Sequence, residues 1–331
     1  MDPLFLSPAD AARRLGVSSK ALRLYEDRGL LLPERTRVGW RTYSYSDLSR
    51  AEEIIKLRKL GLSLTQIAGV LHGKTSNLEP ALAAHQVVLE SRLAQLTGTV
   101  NQVRCLRRKL SAGDTPALSE LTHLQTDHRT IGLSLPWPWG GEHFEISIDR
   151  PHTWITGPLG SGKTKLAMAL ADAIPGSVFL GLDRQAAITG DFHYERMQSA
   201  LDWLIGDGAT PSDPLTTLIA LLEAEGPAAV VVDLIEYRLD EPTQTALASW
   251  LRLREPDARP IFAMTRSSAM LDLAACGPDE MTILCPANHS PPMIVSPHAG
   301  SSGYEVVAAC LAPPDVRART EGMIAFYPPA A

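Results

Sequence analysis

Short amphipathic segments separated by glycines occupy the first 75 residues. Ser7-Pro8 and Ser18 precede two such segments and have the composition of helix starts, while Gly16 and Gly29 follow them as helix stops. Two short helices joined by a tight turn form a helix-turn-helix. The next stretch, 33–43, places Thr, Val, Trp and Tyr around a glycine, which predicts a basic β-hairpin, or wing.

Two more helices are predicted behind this hairpin. Ser46 can cap a helix over residues 47–60. Ser63 and Gln66 have the spacing of a capping box, which predicts a further helix that ends near Gly73.

A heptad pattern follows from residue 80 onward. Apolar residues recur at spacings of four, three, four, three and seven, the a/d rhythm of a coiled coil. A helix of roughly 30 residues would be about 45 Å long, more than a small domain needs for its own core. The pattern therefore predicts a dimerisation helix, and a core helix of the second domain is the alternative. The heptad positions are Leu89, Leu93, Leu96, Val100, Val103 and Leu110.

A phosphate-binding pattern begins at residue 157, where the sequence reads GPLGSGKT and matches GxxxxGK[ST]. The β-prone segment 152–156 precedes it and the helix-forming segment 165–174 follows, so its backbone N–H groups can cradle phosphates. We expect Lys163 to reach the β and γ phosphates of ATP and the Thr164 hydroxyl to bind Mg²⁺. The expected nucleotide-binding residues are Gly157, Pro158, Leu159, Gly160, Ser161, Gly162, Lys163 and Thr164.

A second Mg²⁺ ligand is expected at the end of the apolar run 228–232. This run predicts a buried parallel strand, and Asp233 follows it with a carboxylate, as in a Walker B strand. Further strands at 178–182 and 261–264, with helices between them, complete a predicted α/β sheet.

These patterns predict a multidomain protein: an N-terminal all-α winged helix-turn-helix with a long coiled-coil helix, and a C-terminal α/β P-loop NTPase domain. Pro, Gly and Trp residues between the two indicate a linker. The expected divisions are a DNA-binding domain at 1–75, a dimerisation helix at 76–112, a linker at 113–142 and a nucleotide-binding domain at 143–331.

Charge is divided unevenly between these parts. Residues 1–112 hold 18 Lys and Arg against 10 Asp and Glu, whereas the remainder holds 13 against 27, and the whole chain carries −6. A basic N-terminal third suggests that this part meets a polyanion. No apolar run is long enough for a membrane span and no secretory pattern is visible, so we expect a cytoplasmic protein. Four scattered cysteines argue against a disulfide framework.

The N-terminal motifs resemble the mercury-resistance regulator (MerR) family over about 68 positions and the long helix. Residues 22–26 (LRLYE), 29–31 (GLL), 41–43 (RTY) and 60–64 (LGLSL) fall on family motifs in family order. Leu24 is a departure, because the family often has an aromatic residue there. The resemblance implies a homodimer that places two winged heads on a palindromic promoter, distorts double-stranded DNA and acts on RNA polymerase.

DNA contacts are expected from the second helix and the wing. Lys20 and Arg23 can reach the major groove, the wing arginines can neutralise phosphates, and two tyrosine hydroxyls can bind backbone oxygens. A solvated charge is the alternative for each single arginine. The expected DNA-binding residues are Ser19, Lys20, Arg23, Tyr25, Arg35, Arg37, Arg41 and Tyr43.

Residues 144–285 more loosely resemble the ATPase core of the ABC and AAA class. No LSGGQ signature is present, and Leu234 stands where the family has its catalytic glutamate, so fast hydrolysis is not expected. Glu236 is the nearest substitute that could orient water, with a solvated glutamate as the alternative. Arg266, where ABC enzymes carry a switch histidine, could stabilise γ-phosphate charge or pair with a nearby acid.

Cys285 and His289 lie close together in the sequence. Some metal-sensing members of the MerR family bind inducers through cysteines, but one thiol and one imidazole supply too few ligands for a metal. We expect a tight turn after the last strand instead.

The leading hypothesis is a dimeric transcription regulator whose promoter binding is modulated by ATP, with slow hydrolysis or none. One alternative is a DNA-tethered motor or partition-type ATPase, which would need brisk turnover. Another is a regulator that senses a different phosphorylated metabolite.

Overall fold

The N-terminal head consists of four helices and a small hairpin. In the computed structural model the described residues are 5–36, 38–76, 78–111, 130–148, 150–184, 194–254, 258–277 and 280–319. Leu22, Ile54 and Ile67 have no exposed surface and form the centre of the head's core. The elements are α1 (Pro8–Leu15), α2 (Ser19–Asp27), β1 (Glu34–Arg35), β2 (Arg41–Thr42), α3 (Tyr45–Lys59) and α4 (Leu64–Leu71).

Side-chain caps determine where the head's helices begin. The Ser7, Ser18 and Ser63 hydroxyls each accept a backbone N–H at the start of α1, α2 and α4, as the sequence predicts. The prediction for α3 was wrong by two residues. Ser44, not Ser46, is its N-cap, because Ser44 and Asp47 satisfy each other's backbone N–H groups in a capping box.

Helix α5 (Leu78–Ser111) is a single helix of 34 residues. Several apolar heptad residues on it remain open to solvent, Leu93 to 64% and Leu110 to 55%. Leu89, Val100 and Val103 are exposed as well. The helix therefore presents apolar side chains that its own chain leaves largely uncovered.

The C-terminal domain is built on a six-stranded sheet. Strand β5 is entirely buried and lies between β8 and β9, and β8 separates it from β7. All neighbours run parallel except β10, which pairs antiparallel with β9. The strands are β5 (His152–Thr156), β6 (Val178–Leu180), β7 (Val230–Val232), β8 (Ile261–Met264), β9 (Glu280–Leu284) and β10 (Met293–Val295), in the order β10-β9-β5-β8-β7-β6.

Helices cover both faces of this sheet, as is required when parallel strands are buried on both sides. The core on one face includes Trp154 and Leu247, and that on the other includes Leu166 and Phe262. The helices are α6 (Lys163–Ala173), α7 (Tyr194–Asp207), α8 (Asp213–Glu223), α9 (Glu241–Arg252), α10 (Tyr304–Cys310) and α11 (Pro314–Ala318).

An antiparallel hairpin, β3 (Thr130–Ser134) with β4 (His143–Ser147), precedes the sheet. Its apolar residues pack into the same core as Leu166, so it belongs to the C-terminal domain. The expected linker at 113–142 therefore extends too far, and the domain already includes residue 130. Residues 112–129 lie outside the described residues.

None of the described helices is both long and apolar enough to cross a membrane.

A buried charged network joins β5, β9 and the end of α9. The Glu280 carboxylate, 3% exposed, accepts hydrogen bonds from Trp154 Nε1 at 2.8 Å and Arg252 Nε at 2.9 Å. His152 Nε2 lies 3.2 Å from it. Burial alone raises the pKa of Glu280, but His152, Arg252 and Trp154 together outweigh it and hold that pKa well below its usual range.

We expect Glu280→Gln to lower the free energy of unfolding by about 3 kcal/mol at neutral pH, because it leaves the partly buried Arg252 charge unpaired. Since folding lowers the Glu280 pKa, its contribution is fully present above the unfolded value of about 4.3 and is lost as pH falls below it. Denaturant unfolding at several pH values measures this. Glu305→Gln, on an exposed residue of α10, is the control, and equal stability of the two variants would contradict the prediction.

Candidate DNA-binding surface and nucleotide site

The exposed face of α2 and the wing carry most of the expected DNA-binding residues. Ser19, Arg23 and Arg35 are exposed, and Lys20 is half-buried. Arg41 is partly buried, because its Nε lies 2.6 Å from the Glu26 carboxylate. Arg37 lies outside the described residues.

The two tyrosines expected to contact DNA are buried instead. Tyr25 is 6% exposed and Tyr43 only 1%, and both rings pack in the core of the head. The Tyr43 hydroxyl donates to the Glu26 carboxylate, and burial together with this hydrogen bond raises the pKa of Tyr43. Burial also raises the pKa of Tyr25. The expectation of phosphate contacts at these hydroxyls was wrong, because the apolar bodies of the rings are needed in the core.

The wing also carries exposed apolar side chains that sequence reasoning did not single out. Val38 is 78% exposed and Trp40 is 72% exposed. They lie on the same hairpin as Arg35, so this part of the head combines charge with apolar surface.

The phosphate-binding loop joins β5 to α6, as the pattern predicts. Gly157 must be glycine, since a Cβ there would lie 2.3 Å from the Cys285 carbonyl oxygen. Lys163 Nζ donates to the carbonyl oxygens of Gly157 at 2.9 Å and Pro158 at 2.6 Å. Leu159 and Gly160 are exposed at the tip of the loop.

The second expected metal ligand lies beside the first. Strands β5, β7 and β8 run parallel, so the residues that follow them meet at one edge of the sheet. Asp233 follows β7, and the Thr164 side chain lies close enough to its carboxylate to lower the Asp233 pKa. The two residues expected to bind Mg²⁺ are thus brought together from different parts of the chain.

Neither the Lys163 ammonium nor the Asp233 carboxylate has enough opposite charge nearby to offset the cost of its burial. Burial lowers the pKa of the Lys163 ammonium to about 8. Burial likewise raises the pKa of the Asp233 carboxyl, although Arg184 and Lys163 act against this. These directions are the reverse of those for a satisfied ion pair. A phosphate would compensate Lys163 and a divalent cation would compensate Asp233, so the residues present fit Mg-nucleotide.

Glu236 is held in place by the protein. It is 5% exposed, and its Oε1 accepts the backbone N–H of Arg266 at 3.0 Å. Arg317 of α11 also donates to Oε1. This oxygen fixes the loop after β8, while Oε2 is buried and has no hydrogen-bond partner among the described residues.

Arg184 supports the loop after β7 and was not singled out from the sequence. Its guanidinium donates to the carbonyl oxygens of Asp233 at 3.1 Å and Leu234 at 2.7 Å. It is 6% exposed. Leu234 has a positive φ of 39°, so Arg184 holds a strained turn next to the expected metal ligand.

The Cys285–His289 segment lies against the phosphate-binding loop. The backbone N–H of Cys285 donates to Thr156 O at 2.9 Å, and His289 Nε2 lies 3.1 Å from Gly160 O. Trp139, from the β3–β4 hairpin, donates to Ser290 O at 3.1 Å. The prediction that this segment follows the last strand of the sheet was wrong, because β10 comes after it.

The comparisons with known proteins identify a family for the N-terminal head. The family profile described as "MerR HTH family regulatory protein" matches residues 6–74. A probable heavy metal-dependent transcriptional regulator from Haemophilus influenzae is 34% identical over 103 residues, which cover 31% of this chain and 80% of that protein. The chain belongs to the MerR family.

One further relative matches a shorter part of this MerR-family chain, and one solved structure has a weak similarity over a longer part. The HTH-type transcriptional activator TipA of Streptomyces coelicolor is 35% identical over 82 residues, 24% of this chain. The chain spans about a third, 32%, of the length of that activator. The ADP conformation of the ATP-binding cassette MJ1267 matches with a TM-score of 0.37 and 12% identity, covering 60% of this chain and 100% of that one.

We expect Tyr43→Phe to lower the free energy of unfolding by about 1.5–3 kcal/mol, because it removes a buried hydrogen bond to a charged group. The DNA affinity of the folded variant should stay within about twofold of the wild type, since a side chain that lies outside an interface contributes little to binding. Chemical denaturation and fluorescence anisotropy measure the two quantities. Tyr45→Phe, at a residue 75% exposed, is the control, and a loss of DNA affinity at unchanged stability would contradict the prediction.

Proposed function

We propose that this protein is a dimeric promoter-binding transcription regulator whose DNA binding is modulated by Mg-ATP held in its C-terminal domain, with slow hydrolysis or none. The observation that carries the proposal is the combination, in one MerR-family chain, of an exposed Arg23 on α2 with a phosphate-binding loop whose Thr164 lies beside Asp233.

The head supports the DNA-binding part of this proposal. Arg23 is exposed on α2, where it can enter a major groove, and Arg35 on the wing can neutralise a phosphate. The exposed apolar residues of α5, Leu93 and Leu110 among them, support dimerisation with a second copy. A two-fold dimer matches a palindromic promoter, and RNA polymerase is the further partner that such a regulator would address.

Nucleotide binding would use the groups already described. The backbone N–H groups of the loop 157–164, which Pro158 lacks, and the Lys163 ammonium hold the phosphates, and Thr164 and Asp233 hold Mg²⁺. The cation neutralises phosphate charge when it is bound. Arg266 is positioned after β8, where its charge already lowers the pKa of Lys163, and it would face the γ-phosphate.

The locked Glu236 favours a signal over a motor. A motor or partition-type ATPase needs a carboxylate that can reach and orient water. Glu236 is 5% exposed, its Oε1 is bound by Arg317 and the Arg266 N–H, and its unpartnered Oε2 is buried. A site without such a base holds ATP longer than it turns it over. The bound state can then act as a signal. Another phosphorylated metabolite would use the same loop and is separated from ATP by competition.

We expect Arg23→Ala in the full chain to weaken binding to a selected promoter duplex by about 1–3 kcal/mol, because the arginine contacts a base edge. Fluorescence anisotropy over a salt series gives the affinity. The control is Arg50→Ala, an α3 residue that pairs with Glu53 at 3.4 Å. Equal affinities of both variants and the wild type would remove α2 from the proposed DNA contact.

We expect Mg-ATP to stabilise the wild type against thermal unfolding by about 2.7 kcal/mol at a hundredfold excess over its dissociation constant. Lys163→Ala should abolish this gain, because the phosphates lose their buried cation. Lys165→Ala, an exposed residue on the same helix, should keep it. A melting temperature of the wild type that does not respond to millimolar Mg-ATP, or a Lys163→Ala variant that gains as much, would refute the nucleotide site.

A further inference from the structure

The C-terminal domain holds the head through one buried carboxylate. Asp207, at the end of α7, has a side chain with no exposed surface. It accepts two N–H groups of Arg58, at 2.6 and 3.1 Å, and the backbone N–H of Leu64 at 3.0 Å. Both donors belong to the head, 143 to 149 positions earlier in the chain.

Three further contacts surround this ion pair. Trp203 Nε1 donates to Gly61 O at 2.9 Å, and the Arg58 guanidinium lies 5.4 Å from the centre of the Trp203 ring. The Thr65 hydroxyl donates to Gly206 O at 2.6 Å. We call this set of residues the docking interface: Arg58, Gly61, Leu64, Thr65, Trp203, Gly206 and Asp207.

The same docking places the C-terminal domain along the DNA-reading helix. Near the start of α2, Lys20 Nζ lies 3.8 Å from the Glu241 carboxylate. Just after its end, the Arg28 guanidinium lies directly over Gly208, where a Cβ would be 1.5 Å from Arg28 Nη2. Both ends of the helix that reads DNA are therefore in contact with the nucleotide-binding domain.

The docking interface is also tied to the expected Mg²⁺ ligand. Thr210, three residues after Asp207, donates its hydroxyl to Asp240 at 2.6 Å and its N–H to the Thr243 hydroxyl at 2.9 Å. Asp240 caps α9, the helix that begins with Glu241. Asp233 lies seven positions before Asp240, so one short loop joins the metal ligand to the residues that contact the head.

We propose that the docking interface is a reversible latch that holds α2 back from DNA, and that nucleotide at Asp233 sets how often it opens. The major groove of DNA and Glu241 compete for Lys20. This rests on the proposed function and names its regulation. A buried ion pair suits a latch, because both ions regain water when the domains separate and the net stabilisation is small, whereas the geometry of the closed state is specific.

A disulfide across the docking interface tests whether the docked state is the DNA-free state. A Cβ at position 206 would lie 4.0 Å from Thr65 Cβ, within the range of about 3.5–4.5 Å that a disulfide requires. The variant is Thr65→Cys with Gly206→Cys in the full chain. Its oxidised form should bind a DNA duplex, selected from a random pool by the wild type, about tenfold more weakly or worse, since apparent affinity falls with the competent fraction.

Reduction with dithiothreitol should restore the affinity. Thr65→Cys alone, oxidised in the same way, controls for the native thiols and should bind like the wild type. Oxidised and reduced double variants that bind DNA equally would overturn the proposal. Failure of the two cysteines to pair would overturn it too, because the docked arrangement would then not be populated.

A charge variant tests the competition for Lys20 without any covalent bond. Glu241→Gln should bind the same duplex about two- to fivefold more tightly, the range for one partly exposed ion pair. Glu305→Gln removes the same charge from an exposed residue of α10, outside the docking interface, and should leave the affinity unchanged. Equal affinities of the two variants would contradict the role of Glu241.

Nucleotide dependence separates failure of the latch from failure of the proposed function. Mg-ATP should shift the DNA affinity of the reduced double variant but not of the oxidised one. Nucleotide binding is followed in the same samples by thermal shift. An effect of Mg-ATP on DNA affinity that is equal in the oxidised and reduced double variants would overturn the latch alone, whereas absence of either binding, or binding of both ligands with no effect of one on the other, would overturn the proposed function.

Discussion

The arrangement of the two domains depends on the burial of one carboxylate. Asp207 ends α7, where the helix dipole disfavours a negative charge, and its side chain is excluded from water. Such a charge requires donors, and Arg58 and Leu64 of the head supply them. The position of α2 against Glu241 and Gly208 follows from this requirement.

The nucleotide site depends on a different constraint, the common edge at which parallel strands end. This edge collects Lys163, Thr164 and Asp233 from segments far apart in the sequence. The charges that it collects are poorly compensated by one another, in contrast to Glu280, whose three partners lower its pKa. The Glu280 carboxylate finds its partners within the protein, whereas the charges at the candidate nucleotide site would be compensated by the proposed ligand, which brings charge of both signs.

Local signals in the sequence were sufficient for much of this structure. The serine caps of α1 and α2, the capping box at Ser63, the phosphate-binding pattern and the strand before Asp233 are encoded within a few residues, and each lies where it was predicted. Strand β3 and the turn after it were taken for part of a linker, because that turn is rich in Pro, Gly and Trp. Its membership of the C-terminal domain is decided by packing against residues such as Leu166.

Long-range pairs were beyond the reach of sequence reasoning. Tyr25 and Tyr43 lie in segments that were expected to contact DNA. Only the fold shows that their rings fill the core of the head. Glu236 has the spacing of a catalytic substitute, but its partner Arg317 lies 81 positions away. Asp207 and Arg58 are separated by 149 positions, and neither residue is unusual on its own helix.

The docked arrangement also changes the electric field that approaching DNA experiences. Residues 1–112 carry a net charge of +8 and the rest of the chain −14. The contacts of Lys20 and Arg28 bring the acidic domain alongside the basic head, within the Debye length of about 8 Å at physiological ionic strength. In the proposed latched form, long-range attraction of the duplex would be largely cancelled, so its encounter rate with DNA would lose the electrostatic steering that a bare basic head provides.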